Sequence, residues 1–143
     1  MNQRRTRISA ALFVLGAAAG CSDNTSPSEV AGSYTAIVFM TSGSSGQTNH
    51  LVAGSTFNIT LNSNGTTSGH LHVAASGGDP GLDADMAGTW SQNGDVVDFT
   101  QAADTFVRDM AFRIERVGPN VLYLVGDQTF SGTNISVTLA RES

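Results

Sequence analysis

The placement of apolar residues constrains this chain more than any other feature, because they recur at every second position in short segments and never keep helical spacing for long. Residues 55–62 show the pattern best, with Phe57, Ile59 and Leu61 between polar neighbours. Successive side chains of a β-strand point to opposite faces, so the pattern predicts strands with one buried face. Turn signals, including two Asn-Gly pairs, separate the segments. The predicted strands are 31–40, 55–62, 66–73, 88–91, 95–100, 105–115, 121–126 and 134–141.

The connections between these strands predict an antiparallel meander, because no segment between them is helical enough to return a strand in parallel. Gly, Ser and Thr make up about a third of the chain and Lys is absent, which disfavours long surface helices. Closure into a barrel satisfies both sheet edges, whereas an open sheet leaves them free to pair with other chains. We therefore predict one all-β domain, a small antiparallel up-and-down β-barrel of about eight strands, with a β-sandwich as the alternative.

The first 20 residues have the composition of an export signal. Arg4, Arg5 and Arg7 form a positive head, and an apolar run over residues 8–19 follows. This run is shorter than the roughly 20 residues that a helix needs to span a bilayer, so cleavage is expected rather than a permanent span. Residues 1–20 are therefore predicted to be a signal peptide.

Cys21 is the only cysteine, and it directly follows this segment. An unpaired thiol in an exported protein needs a reason. The sequence Ala18-Ala19-Gly20-Cys21 resembles the lipobox of bacterial lipoproteins, although Ala18 stands where Leu is usual. The resemblance implies that Cys21 becomes the acylated first residue and that several acyl chains hold the protein in a lipid bilayer. The alternative is ordinary cleavage after Ala19, which releases a soluble protein with a free thiol.

Residues 21–29 are polar and contain a proline, which predicts a flexible tether between the anchor and a domain over 30–143. Without the signal peptide, four Arg remain against twelve acidic residues, which makes the chain strongly acidic. Such a chain is repelled by phosphate backbones, so nucleic acid is not an expected partner. Together with the signal peptide, these features predict a lipid-anchored protein of the bacterial cell envelope, with its domain in the periplasm or on the surface.

Two five-residue segments open predicted strands with the same pattern of small residues and one aromatic ring. They are AGSYT at 31–35 and AGTWS at 87–91. Glycine permits close approach of neighbouring strands, and the ring two positions later can fill a barrel. With its G-S-Y motif the chain resembles the lipocalin-like (calycin-type) barrel domains of bacterial lipoproteins, whose first strand carries G-x-W or G-x-Y. The resemblance implies a barrel closed by Gly32, Tyr34 and an Arg of the last strand, here Arg141, that packs over the aromatic.

Arg108 lies in phase with the apolar positions of 105–115, so strict alternation predicts that its guanidinium points into the barrel. A buried cation needs an anionic partner, such as the carboxylate of a ligand. Arg108 is therefore a candidate ligand contact, together with Tyr34 and Trp90. A bulge near Val107, or a position at the barrel rim, is the alternative interpretation.

Two segments carry residue types that bind metals. His70 and His72 place two imidazoles on one face of a strand, as in zinc and copper sites, and Asp83 and Asp85 lie in an acidic loop of the kind that suits calcium. The loop lacks the spacing of a regular calcium motif, and strand positions opposite an apolar face usually meet water. We therefore predict no metal and no other cofactor, and these four residues stay weak candidates.

The sequence offers no constellation of catalytic residues. No Ser stands in a G-x-S-x-G turn, Lys is absent, and Cys21 is accounted for by the lipobox. We expect a membrane-anchored lipoprotein that is not an enzyme and whose barrel binds a small amphipathic ligand. The alternative is a structural or protein-interaction lipoprotein of the envelope that has no ligand and whose barrel is filled by its own side chains.

Overall fold

Antiparallel strands make up most of the structure, a computed structural model that describes residues 26–143. Over this range the chain forms one sheet of ten strands, a short helix before it, and one 3-10 turn. The elements are α1 (Pro27–Val30), β1 (Gly32–Gly43), β2 (Gly46–Asn49), β3 (Thr56–Leu61), β4 (Thr66–Val73), β5 (Leu82–Asp85), β6 (Gly88–Asn93), β7 (Val96–Gln101), the 3-10 turn (Phe106–Asp109), β8 (Phe112–Arg116), β9 (Leu122–Phe130) and β10 (Thr133–Arg141).

Eight of these strands close into a barrel in the order β1-β3-β4-β6-β7-β8-β9-β10. The last strand returns to the first, and the β1–β10 pairing runs from Tyr34 opposite Arg141 to Ser42 opposite Asn134. Closure gives both outermost strands of the meander a hydrogen-bonded neighbour. The predicted barrel is confirmed, and the β-sandwich alternative is wrong. Each of the eight predicted segments contributes one strand of the barrel.

The other two strands lie inside segments whose Gly and Ser content predicted loops. β2 folds back on the second half of β1, from Met40 opposite Asn49 to Gly43 opposite Gly46. β5 pairs only with β4. It pairs with the last part of β4, whereas β6 pairs with the first part of the same strand. These short strands extend the sheet outside the barrel.

A bulge in β1 changes which residues face the core. Alternation over 31–40 predicts that Val38 shares a face with Tyr34 and Ala36, with Phe39 opposite. The β1–β10 register shifts between Ala36 and Val38, and from there Phe39 is buried at 2 % exposure while Val38 is 37 % exposed. The prediction for Val38 and Phe39 is wrong because one extra residue in a bulge reverses the alternation that follows it.

The predicted strand 105–115 is only half correct, because Phe106–Asp109 form a 3-10 turn and β8 starts at Phe112. A 3-10 turn repeats every three residues, so Val107 and Met110 both face the core. Arg108 lies between them and faces outwards.

Apolar side chains from every side of the barrel fill its interior. Gly126 on β9 illustrates the packing: a Cβ added there would lie 2.5 Å from Met110 Sδ and 2.8 Å from the Phe112 ring. Protein interiors are packed at the density of organic crystals, so a missing side chain at one position is matched by larger ones beside it. The largest fully buried side chains are Tyr34, Phe57, Phe112, Ile59, Leu61, Leu71, Met86, Leu124, Leu139, Val30, Val97 and Val107.

Candidate functional site

One end of the barrel is covered by α1, whose residues 27–29 are the last part of the predicted tether. Pro27 occupies the first turn, where its missing N–H costs nothing, and Val30 is fully buried. The last carbonyls of a helix lack partners within the helix. Here the Tyr34 hydroxyl donates to the Val30 carbonyl at 2.5 Å, and Arg141 Nη1 donates to the Glu29 carbonyl at 2.7 Å. The barrel therefore supplies the donors that hold α1 in place.

The three residues for which the lipocalin-like resemblance implies a closing role lie together at this end. Tyr34 and Arg141 are opposite each other across β1 and β10. Gly32 has a positive φ of 152°, and a Cβ there would lie 2.8 Å from Arg141 Nε, so a larger residue would require the guanidinium to shift. Burial raises the pKa of Tyr34 to about 12, while the positive charges of Arg141 and Arg116 act in the opposite direction.

Tyr34 and Trp90 both use their polar atoms within the protein. Trp90 Nε1 donates to the Asn62 carbonyl at 2.8 Å, and its side chain is almost fully buried. The Tyr34 hydroxyl is engaged with α1. Neither residue lines the three surface pockets that we describe within residues 26–143. Their role as ligand contacts stays a prediction.

Arg108 does not point into the barrel, so the expectation from strict alternation is wrong. Its side chain is 42 % exposed, with Nη2 2.7 Å from Asp104 Oδ1 and Nε 3.8 Å from Asp109 Oδ1. The anionic partners expected for a buried cation are thus two neighbouring carboxylates at the barrel rim. A ligand contact by Arg108 stays a prediction, at the rim instead of inside.

The four weak metal candidates meet on the outer face of β4 and β5, where His70 is opposite Asp85 and His72 is opposite Asp83. Asp83 Oδ1 lies 2.8 Å from His72 Nδ1 and 3.2 Å from His70 Nε2, and Asp85 Oδ1 lies 3.3 Å from His70 Nδ1. Hydrogen bonds that the carboxylates of Asp83 and Asp85 accept from its imidazole raise the pKa of His70. Hydrogen bonds donated by His72 and His70 lower the pKa of Asp83.

These four side chains form an exposed network of ion pairs and hydrogen bonds. In the part of the chain that the structure describes, no group of three or more His, Cys, Asp or Glu side chains is arranged to hold a metal ion. Sequence reasoning placed the two His on a strand and the two Asp in a loop. It missed their contact because β5 was not predicted.

A pocket that sequence reasoning also missed lies at the barrel end opposite α1, and we call it the mouth pocket. It encloses about 300 Å³ between residues 104–109 and the β9–β10 hairpin. Phe106, Phe130 and Ile135 supply its apolar walls, with Thr105 and Gln128 beside them. Thr105 Oγ1 and Gln128 Oε1 are both buried, and neither has a hydrogen-bond partner among residues 26–143. The only signal in the sequence is Phe130, an apolar residue next to a turn.

A larger groove of about 550 Å³ lies at the α1 end. Two of its charged lining side chains form an ion pair, with the Glu29 carboxylate 3.3 Å from Arg116 Nη2, and Arg141 Nη1 donates to the Glu29 carbonyl. A third pocket lies on the outer surface of β9 and β10, between polar side chains such as Asp127 and Asn134. Of the three, the mouth pocket alone joins aromatic walls to buried polar atoms without partners.

In comparisons with protein-family models, with curated proteins and with solved structures, nothing matches this chain. Residues 26–143 contain no helix with the length and apolar character needed to cross a membrane. The predicted signal peptide and Cys21 lie outside the described residues.

Proposed function

We propose that this chain is a lipid-anchored protein of the bacterial cell envelope, with a lipocalin-like barrel that serves as a non-enzymatic binding module. The barrel acts through its rims and outer surface, because its own side chains occupy the interior. Of the two functions expected from the sequence, the second had a barrel filled by its own side chains. The proposal adopts that filled barrel and does not place a ligand inside it.

The packed interior is the observation that carries this choice. Three aromatic side chains, Tyr34, Phe57 and Phe112, are fully buried in a barrel of eight strands. Barrels of this size have an interior just wide enough for side chains to fill. At Gly126 even one added carbon would collide with Met110 and Phe112. A binding partner is therefore expected to contact the ends or the outside of the barrel.

The position of α1 supports an orientation relative to the membrane. Five residues lie between Cys21 and Pro27, the first residue of α1, so six Cα–Cα steps join the two. Even fully extended, such a segment spans only about 20 Å. An acylated Cys21 would hold the α1 end of the barrel close to the lipid headgroups, and the mouth pocket would face away from the membrane.

The anchor can be tested by expressing the full chain in a bacterium and measuring the intact mass of the protein extracted from the envelope. The expected product begins at Cys21, is heavier than the bare polypeptide 21–143 by its acyl groups, and fractionates with membranes. The matched control is Cys21→Ser, which should lose the added mass and leave the membrane fraction. A wild-type protein that begins at Gly20 with an unmodified mass would refute the lipid anchor.

A further inference from the structure

The mouth pocket has the size and walls of a site for one small aromatic molecule. Its volume of about 300 Å³ is at the small end of the range for ligand pockets. Phe106 is held from behind by Phe39 and Phe57, with ring centroids 5.4 and 6.4 Å away. Phe130, which also lines the pocket, is 66 % exposed. Two aromatic rings in the lining of one pocket favour a flat apolar group that packs against them.

Two buried side-chain oxygens belong to residues that line the pocket. Within residues 26–143, Thr105 Oγ1 and Gln128 Oε1 have no hydrogen-bond partner, a state that costs free energy until a partner is supplied. The Gln128 oxygen can only accept, whereas the Thr105 hydroxyl can accept or donate. A ligand that carries N–H or O–H groups can therefore serve as a partner for either oxygen.

The net charge at the rim of the mouth pocket favours one ligand charge over another. Asp104 and Asp109 both line the pocket. Arg108 forms ion pairs with both carboxylates. Its Nη2 lies 2.7 Å from Asp104 Oδ1, and its Nε lies 3.8 Å from Asp109 Oδ1. One negative charge is left over at the rim, which favours a cationic ligand over an anionic one.

We propose that the mouth pocket binds a small aromatic amine. Its ring packs against Phe106 and Phe130, and its ammonium group donates to the rim carboxylates of Asp104 and Asp109. This goes beyond the proposed function by naming a ligand class and a site. It depends on the barrel alone, so failure of the lipid anchor would leave it standing.

Three probes with one carbon frame test the proposal: 2-phenylethylamine, 2-phenylethanol and phenylacetate. Each is titrated into the isotope-labelled protein purified from the envelope in detergent micelles, and backbone amide shifts are followed by NMR. We expect the amine to shift amides in 104–109 and 128–135 with a Kd of about 1 mM or tighter. The alcohol should bind more weakly, and phenylacetate should bind at least tenfold more weakly than the amine.

Variants distinguish binding in the mouth pocket from nonspecific binding elsewhere on the surface. Phe130→Ser should weaken amine binding at least tenfold, whereas Val52→Ser, at an apolar residue 84 % exposed outside the pocket, should leave it unchanged. Asp109→Asn should reduce the preference for the amine over the alcohol, and Asp98→Asn, which removes the same charge outside the pocket, should not. All four residues are exposed, so the amide spectra should show an intact fold.

Three results would overturn the proposal. The first is no saturable shift with the amine at about 10 mM, ten times the expected Kd. The second is equal affinity for phenylacetate and the amine. The third is a Phe130→Ser variant that binds like the wild type. The mass of the extracted protein reports on the anchor separately, so the two proposals can fail independently.

Discussion

Tyr34→Phe removes a single hydroxyl at the α1 end of the barrel and tests whether that hydroxyl holds α1 in place. The Tyr34 hydroxyl donates to the Val30 carbonyl at 2.5 Å, and both residues are fully buried. Phenylalanine keeps the ring in the core and leaves the carbonyl without this donor. Leaving a buried acceptor without its partner costs about 1–3 kcal/mol of the free energy of unfolding. For a domain of this size, each kcal/mol lowers the Tm by about 4 °C.

Urea denaturation followed by circular dichroism measures this loss. We expect a lower midpoint with an unchanged m-value, because the surface exposed on unfolding stays the same. The matched control is Tyr123→Phe on β9, a half-buried tyrosine whose hydroxyl makes no hydrogen bond within residues 26–143. That variant should stay within about 0.5 kcal/mol of the wild type. Equal midpoints for Tyr34→Phe and the wild type would refute the role of this hydrogen bond.

The raised pKa of the Tyr34 hydroxyl predicts how the free energy of unfolding changes at high pH. Burial raises the pKa of Tyr34 from about 10 in the unfolded chain to about 12 in the folded one. The folded state therefore holds the proton more tightly, so its contribution is complete below pH 10 and is lost as the pH rises through 12. The full difference is about 2–3 kcal/mol. Tyr34→Phe should show a flatter decline between pH 10 and 12, and identical slopes in the two proteins would contradict the buried phenol.

Three further predictions concern the core and the exposed His–Asp network. Leu124→Ala removes a fully buried side chain and should cost about 2–5 kcal/mol in urea denaturation; a loss below about 1 kcal/mol would contradict a filled barrel. Gly126→Ala places a Cβ 2.5 Å from Met110 Sδ and should cost about 1–3 kcal/mol, so an unchanged midpoint would refute tight packing there. NMR titration should show that the pKa of His70 lies above 6.5 and that it falls in the Asp83→Asn variant. Because the pKa of His70 is raised in the folded chain, its protonation stabilises the fold below pH 6.5, and this stabilisation is lost as the pH rises through the raised pKa.

Alternation located all eight barrel strands because each strand carries its two-residue period within its own sequence. It failed where the backbone departs from regular strand geometry. The bulge after Ala36 buries Phe39 instead of Val38, and the 3-10 turn over 106–109 moves Arg108 from a predicted interior position to the rim. Neither departure changes the order of strands, and so the fold class was predicted correctly while these side-chain directions were not.

The sites were harder to predict than the fold. His70 and Asp83 were recognised separately as metal-ligand residue types, yet their contact depends on β5, whose four residues lie in a Gly-rich segment. The mouth pocket joins Thr105 and Gln128, which are far apart in the chain and polar like many of their neighbours. Nothing local distinguishes a polar residue that will be buried without a partner.

The amino-acid sequence by itself determined the class of fold, the order of the barrel strands and the prediction of an acylated Cys21, because each depends on short-range patterns. Only the tertiary structure decided the register in which β10 pairs with β1, that α1 covers one end, and that the other end holds the mouth pocket. Those features depend on strand register and on contacts between distant segments. Register is set by the packing of the whole barrel, and a one-residue shift reverses the direction of every side chain in a strand.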